Sequence, residues 1–220
     1  MRTNGTPGVL KPSDSHGTFV AGIIAAERNG NQIVGVAPNS KLINVCDTSS
    51  SGEMSFAVYT TISSRWASGI NWAWKNGSDI INCSWHIAFA SENFSSAIIE
   101  NAIDSALIRG RNLKGCVVVF SSGNKNDSVN YPANCNDNII VVGGIEKNGK
   151  RWEDASNGSH YGSKLDVVAP CVDIYSTYNG GTSNYGWSPG TSFAAPHVSG
   201  VAALILSIRP DLTQNRWLIL

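Results

Sequence analysis

The chain has 220 residues, with 16 basic and 16 acidic side chains and a formal net charge of zero; 42% of its residues are hydrophobic and 15% charged. Such a composition suits one globular domain with a sizeable core and excludes a polybasic binder of nucleic acid or of an anionic membrane surface. The longest apolar run, Val201 to Ile208, falls short of a bilayer span, and Met1 to Gly5 lacks the apolar core of a signal peptide.

Residues 1–15 are polar and rich in turn formers, and read as loop. His16-Gly17-Thr18 opens an apolar stretch of helical length, Phe19 to Ala26, broken by Asn29-Gly30-Asn31-Gln32. Ile33 to Val36 and Lys41 to Cys46 are short, β-rich and flanked by turn residues, so strands are expected there. Between Phe56 and Lys75 the period becomes helical, with Ile62, Trp66, Ile70 and Trp74 on one face and Asn76-Gly77 as the stop. A strand follows at Asp79 to Ser84, then a helix at Ser95 to Arg109. Cys116 to Phe120 is an unbroken apolar run, as expected for a strand buried on both faces of a parallel sheet. Asn138 to Val142, Leu165 to Ala169 and Asp173 to Thr177 read as further strands, separated by polar loops, before an apolar helix from Phe193 to Ile208.

Alternating strands and helices predict one α/β domain with a mainly parallel sheet, whose sites collect at the carboxyl ends of the strands. Ser84 and Ser121-Ser122-Gly123-Asn124 both stand just past such strands. Five cysteines, Cys46, Cys83, Cys116, Cys135 and Cys171, form neither a C-x-x-C pair nor a zinc spacing. The first three sit in apolar runs and read as buried hydrophobes; Cys135 and Cys171 lie in loop-like sequence, where pairing stays open.

Acyl transfer by a serine needs a base for its proton and donors for the oxyanion. Ser192 follows Gly190-Thr191 at the mouth of an apolar helix, where a serine is either an N-cap or a nucleophile at the helix's positive end. Pro196 is expected in the first turn, where a missing N–H costs little. Among the four histidines, His86 and His160 lack helical or glycine context, and His197 shares the helix of Ser192 and should point elsewhere. His16 starts a helix, an end that disfavours its cation and keeps the ring available as a base. Asn124, after the buried strand, could aim its amide at a carbonyl oxygen.

Taken together, these segments resemble the subtilisin-like (subtilase) serine peptidases. Ser15 to Ala25 is similar to that family's histidine motif, Ser122-Gly123-Asn124 to its oxyanion-hole motif, and Gly190 to Gly200 to its serine motif. Gly35-Val36-Ala37-Pro38 and Val167-Val168-Ala169-Pro170 match its characteristic turns, so the resemblance runs from about Ser15 to Thr213. It implies a three-layer α/β sandwich with a mainly parallel sheet, and an endopeptidase that forms an acyl-enzyme on Ser192. His16 would be the base, with Asn124 and the Ser192 N–H in the oxyanion hole. Ser84-Trp85-His86 and Gly123 would line the groove for a peptide or protein substrate bound as an added strand; Trp85 and His86 are bulkier than the small residues usual there. No cofactor is required. Structural calcium is conceivable near Asn29, but acidic partners are not evident and no metal ligands are assigned.

One departure stands out. The family's orienting aspartate precedes the histidine by a few dozen residues, whereas the sole acid before His16 is Asp14, two residues away; Asp47-Thr48-Ser49 resembles the motif but follows the histidine. The chain is therefore expected to be an incomplete subtilase domain over residues 1–220, lacking the first strand and ending early after Trp217-Leu218-Ile219-Leu220. Loss of that aspartate implies a rate lower by roughly four orders of magnitude, and a non-catalytic peptide-binding fragment is the alternative. An α/β-hydrolase is excluded, because Ala194 stands where its Gly-x-Ser-x-Gly elbow needs glycine. Export of the parent protein is implied by the resemblance alone, and oligomeric state is left open.

Overall fold

The computed structural model describes residues 15–30, 32–45, 56–86, 94–179 and 184–214, with side chains of the second helix described from residue 60. The elements are α1 (His16–Ala25), α2 (Phe56–Lys75), β1 (Ile80–Cys83), α3 (Ala97–Leu113), β2 (Val117–Ser121), β3 (Ile140–Ile145), β4 (Val167–Pro170), β5 (Ile174–Thr177), β6 (Tyr185–Ser188) and α4 (Thr191–Ile208).

Strands β1 to β4 form one parallel sheet in sequence order. Every residue of β2 is buried, and the strand's alternation splits the core in two. Val118 and Phe120 pack with Ile70 and Ala73 of α2 and with Ile99, Ile103 and Ala106 of α3. Val117 and Val119 face the other way, onto Ala194, Ala195, Ala202 and Leu206 of α4. Helices thus cover both faces, giving the expected α/β sandwich. A third cluster joins α1 to α4 and β5 through Phe19, Val20, Ile23, Phe193 and Ile174. Ser176 and Thr177 of β5 strengthen it by donating to the Phe19 and Thr18 carbonyls at 2.7 and 2.8 Å.

Helix α2 follows its sequence period: Ile62 and Ile70 are buried, and Trp66 and Trp74 lie partly buried against the core. Its stop is also as read, with the Asn76 N–H and side-chain amide both bonded to the Trp72 carbonyl. Four expectations change. Ile33 to Val36 forms no strand, because its backbone folds back on α1: Gly35, Val36 and Ala37 donate to Ala26, Ile23 and Ile24. The described part of Lys41 to Cys46 is likewise no strand; no described strand pairs with it, and Leu42 is 51% exposed. Strand β6, in a stretch read as loop, pairs antiparallel with β5, where Trp187 packs on Tyr175 at 4.7 Å. Finally, α4 is long and apolar enough by composition to cross a bilayer, yet it packs between α1 and the sheet as a core helix. Cys135 and Cys171 are both free thiols, on opposite sides of the sheet; Cys46 lies outside the described residues.

Ile103 is fully buried between α3 and the sheet. Ile103→Ala should lower unfolding free energy by about 2–5 kcal/mol, seen as a lower urea midpoint at unchanged slope. A loss under about 1 kcal/mol would show that this interface relaxes around the cavity.

Candidate active site

Two strand ends and one helix start make the site. β1 and β2 run side by side with Cys83 opposite Phe120, so Ser84 and the Ser122-Gly123-Asn124 turn leave the sheet at the same edge. Helix α4 begins there, with Gly190 as its N-cap at φ 138°, a region natural to glycine. Ser192 is therefore the second helical residue and no cap. Its Oγ donates to the Ser84 carbonyl at 3.2 Å.

Pro196 sits inside α4, in the second turn and not the first. It has no N–H to give the carbonyl of Ser192, four residues back. Ser84 supplies the missing donor, its Oγ bonding the Ser192 carbonyl at 2.7 Å. The Asn82 amide donates to Ser84 Oγ at 2.9 Å, and Ser199 Oγ donates to Asn82 Oδ1 at 2.8 Å. A hydrogen-bonded chain thus runs from α4 through β1 and back to α4. Nothing local in the sequence announces Asn82 or Ser199; the proline was the one legible signal.

On the other side, Asn124 Oδ1 accepts from the Thr191 N–H at 2.9 Å and from its hydroxyl at 2.7 Å. A backbone N–H can only donate, so the amide oxygen must face Thr191 and the NH₂ faces away. Thr191 Oγ1 in turn accepts from the Gly123 N–H at 3.2 Å. Thr191 is fully buried. The oxyanion-type donor is thereby held with its free face outward, at the positive end of α4.

His16 is the first residue of α1. Its ring lies 5.4 Å from that of Phe193, the neighbour of Ser192, but no hydrogen bond joins it to Ser192 among the described residues. The ring keeps a solvent-facing edge, and desolvation by the surrounding protein still holds its pKa below the ordinary value. No described acid touches it; Asp14 and Asp47 lie outside the described residues. His197 is turned away, as expected, with Nδ1 2.7 Å from the Phe193 carbonyl.

Of the expected groove residues, Ser84 is engaged with Ser192, and the Trp85 indole packs inward on Trp66 and Phe120 at 4.1 and 5.1 Å. The His86 ring instead faces His160, centroids 6.2 Å apart. Gly123 has φ 115°, and a Cβ there would meet the His160 ring at 2.5 Å. The sequence around His160 offers no helical or glycine context; the fold alone brings it to the site. In the loop where calcium is conceivable, Glu27 is the only acid from Ala26 to Gly30. Among the described residues no three His, Cys, Asp or Glu side chains cluster.

The sequence matches the profile of the Subtilase family over residues 2–217. It is 39% identical over 210 residues to subtilisin DY of Bacillus licheniformis, covering 92% of this chain and 67% of that one. It is also 39% identical over 201 residues to an alkaline protease of Alkalihalobacillus alcalophilus, covering 90% of this chain but 46% of that one. In three dimensions it is similar to a protease from Pseudoalteromonas arctica PAMC 21717, with a TM-score of 0.74 at 36% identity, over 91% of this chain and 61% of that one. The chain thus spans about half to two thirds of the length of these relatives.

Two outcomes follow from the geometry. Ser84→Ala leaves the Ser192 carbonyl without a donor and should cost about 1–3 kcal/mol. Adding Pro196→Ala restores the helical N–H, so the double variant should recover part of that loss in a urea-unfolding cycle; strict additivity would disprove the coupling. All four described histidines have lowered pKa values, desolvation being the leading cause. At a pH just below about 6.5 the unfolded chain then binds more protons than the folded one. Stability should be complete above that pH and fall as the solution is acidified through the folded-state values. Equal urea midpoints at pH 7 and pH 5 would contradict this.

Proposed function

The chain belongs to the subtilase family, and on that premise we propose that it carries the site of a serine endopeptidase with Ser192 as nucleophile. The observation that carries the reading is the start of α4, where Ser192 stands beside an Asn124 amide whose oxygen is occupied by Thr191. In the proposed reaction a peptide lies extended along the backbone of Ser84-Trp85-His86 and Gly123. The Ser192 hydroxyl leaves the Ser84 carbonyl and gives its proton to His16, whose pKa partial desolvation holds below the ordinary value, so that the ring is neutral and able to accept it. Attack on the scissile carbonyl places negative charge where Asn124 Nδ2 and the Ser192 N–H can bond it. His16 then protonates the departing amine, leaving an acyl-enzyme on Ser192, and returns as base for the water that hydrolyses it. Likeness to these relatives supports, as part of the same proposal, export of the parent protein.

A second reading is a peptide-binding protein without turnover. It is favoured by the resting contact of Ser192 with Ser84 and by the absence, among the described residues, of a carboxylate against His16.

A fluorophosphonate probe tests the choice. Labelling at Ser192, lost in Ser192→Ala and slowed in His16→Ala, supports the peptidase; an unlabelled, folded chain supports the second reading. Where turnover is measurable, Asn124→Ala should lower kcat by about 10²–10³ with little change in KM, the range known for the equivalent donor of subtilisin itself.

A further inference from the structure

His160 is 1% exposed, and among the described residues neither ring nitrogen has a hydrogen-bond partner. The Ser122 backbone, which favours the protonated ring, lies outside hydrogen-bonding geometry. Buried polar groups of folded proteins are nearly always satisfied, so an exception calls for an absent partner. The place of this one is specific. Its ring lies so close to Gly123 that any side chain there would strike its Nδ1 and Cε1, and its backbone N–H holds the Gly123 carbonyl at 3.0 Å. Gly123 directly precedes Asn124. From the facing wall His86, two residues beyond Ser84, brings a second imidazole to within 6.2 Å. Lys125, directly after Asn124, adds a positive charge close enough to act on His86.

We propose that this wall reads an acidic side chain on the substrate residue that contributes the scissile carbonyl, His86 and His160 donating to its carboxylate and Lys125 supplying the charge. The inference rests on the peptide-groove reading above. A cationic side chain would meet Lys125, and an apolar one would leave the His160 nitrogens unpartnered at a cost. A carboxylate satisfies an imidazole N–H and neutralises the lysine at once. Among the described residues, the charged groups facing the pair are Lys125 beside His86 and Asp127 beside His160. Asp127 is already engaged, its Oδ1 accepting from the Ser128 N–H at 2.6 Å and its hydroxyl at 3.4 Å. Among the described residues the Lys125 ammonium bonds only a neutral oxygen, Asn157 Oδ1 at 3.3 Å. Protonation of either imidazole adds positive charge, so the preference should strengthen as pH falls from 7.5 to 6.

The test is binding of four product-type peptides, acetyl-Ala-Ala-Ala followed by Glu, Gln, Leu or Lys, to the full chain, followed by tryptophan fluorescence. All four share a terminal carboxylate, so only the last side chain differs. The Glu peptide should bind about ten-fold tighter than the Gln or Leu peptide, and Lys125→Gln, a surface change that should fold normally, should cut that ratio to about three-fold or less. His160→Gln should do the same, with circular dichroism confirming its fold; if that variant does not fold, Lys125→Gln decides. Equal affinities, as expected if water satisfies His160, would overturn the proposal, as would preference for Leu or binding of none of the four. Fluorophosphonate labelling of the same sample separates the two readings. A labelled chain that prefers Leu keeps the peptidase and loses the acidic subsite; an unlabelled chain that prefers Glu keeps the subsite and loses turnover.

Discussion

Helix α4 carries a proline where it can least spare an N–H, and the Ser84 hydroxyl answers the carbonyl that this leaves open. The bond spans 108 positions of sequence and fastens the end of β1 to the start of α4. On the opposite flank, Thr191 spans 67 positions to fasten the same helix start to the turn beyond β2. Ser192 lies between these two anchors. Its neighbourhood is therefore set by the register of two parallel strands, and that register is in turn held by a strand with no exposed residue. Core packing and site geometry are one constraint seen at two depths.

The electrostatics run in one direction. The first turn of α4 presents the positive end of the helix dipole, the Asn124 NH₂ faces outward, and partly desolvated imidazoles nearby resist protonation. Negative charge arising at this spot meets prearranged donors and needs little reorganisation. The same desolvation that keeps the histidines neutral makes their protonation costly to the fold, so a base poised for chemistry is also a source of acid sensitivity.

Much of this was legible in the sequence, for reasons that differ by residue. The period of α2 and the apolar run of β2 are repeated local signals, and each produced the expected element. His16, Asn124 and Ser192 stood out because glycines and hydroxyls flank them in motifs that imply one reaction. Pairing was not legible. Ile33 to Val36 has strand composition, yet its N–H groups go to the end of α1; Tyr185 to Ser188 has loop composition, yet pairs with β5. Ser192 could be read as a cap because nothing local showed that Gly190 already fills that role. His160 lay hidden for the same reason: its significance comes from Gly123, 37 positions earlier, and from His86 beyond the end of β1.

The cysteines carry a separate consequence. Cys83, Cys116 and Cys171 are buried free thiols, and burial raises the pKa of Cys116 and Cys171 to about 12. At neutral pH such groups hold almost no thiolate and give no access to an alkylating reagent. They react only when the sheet and its covering helices separate, so the rate of thiol modification reports how often the molecule opens. The chain carries its own clock for breathing, with Cys116 on one side of the sheet and Cys171 on the other to tell which layer lifts first.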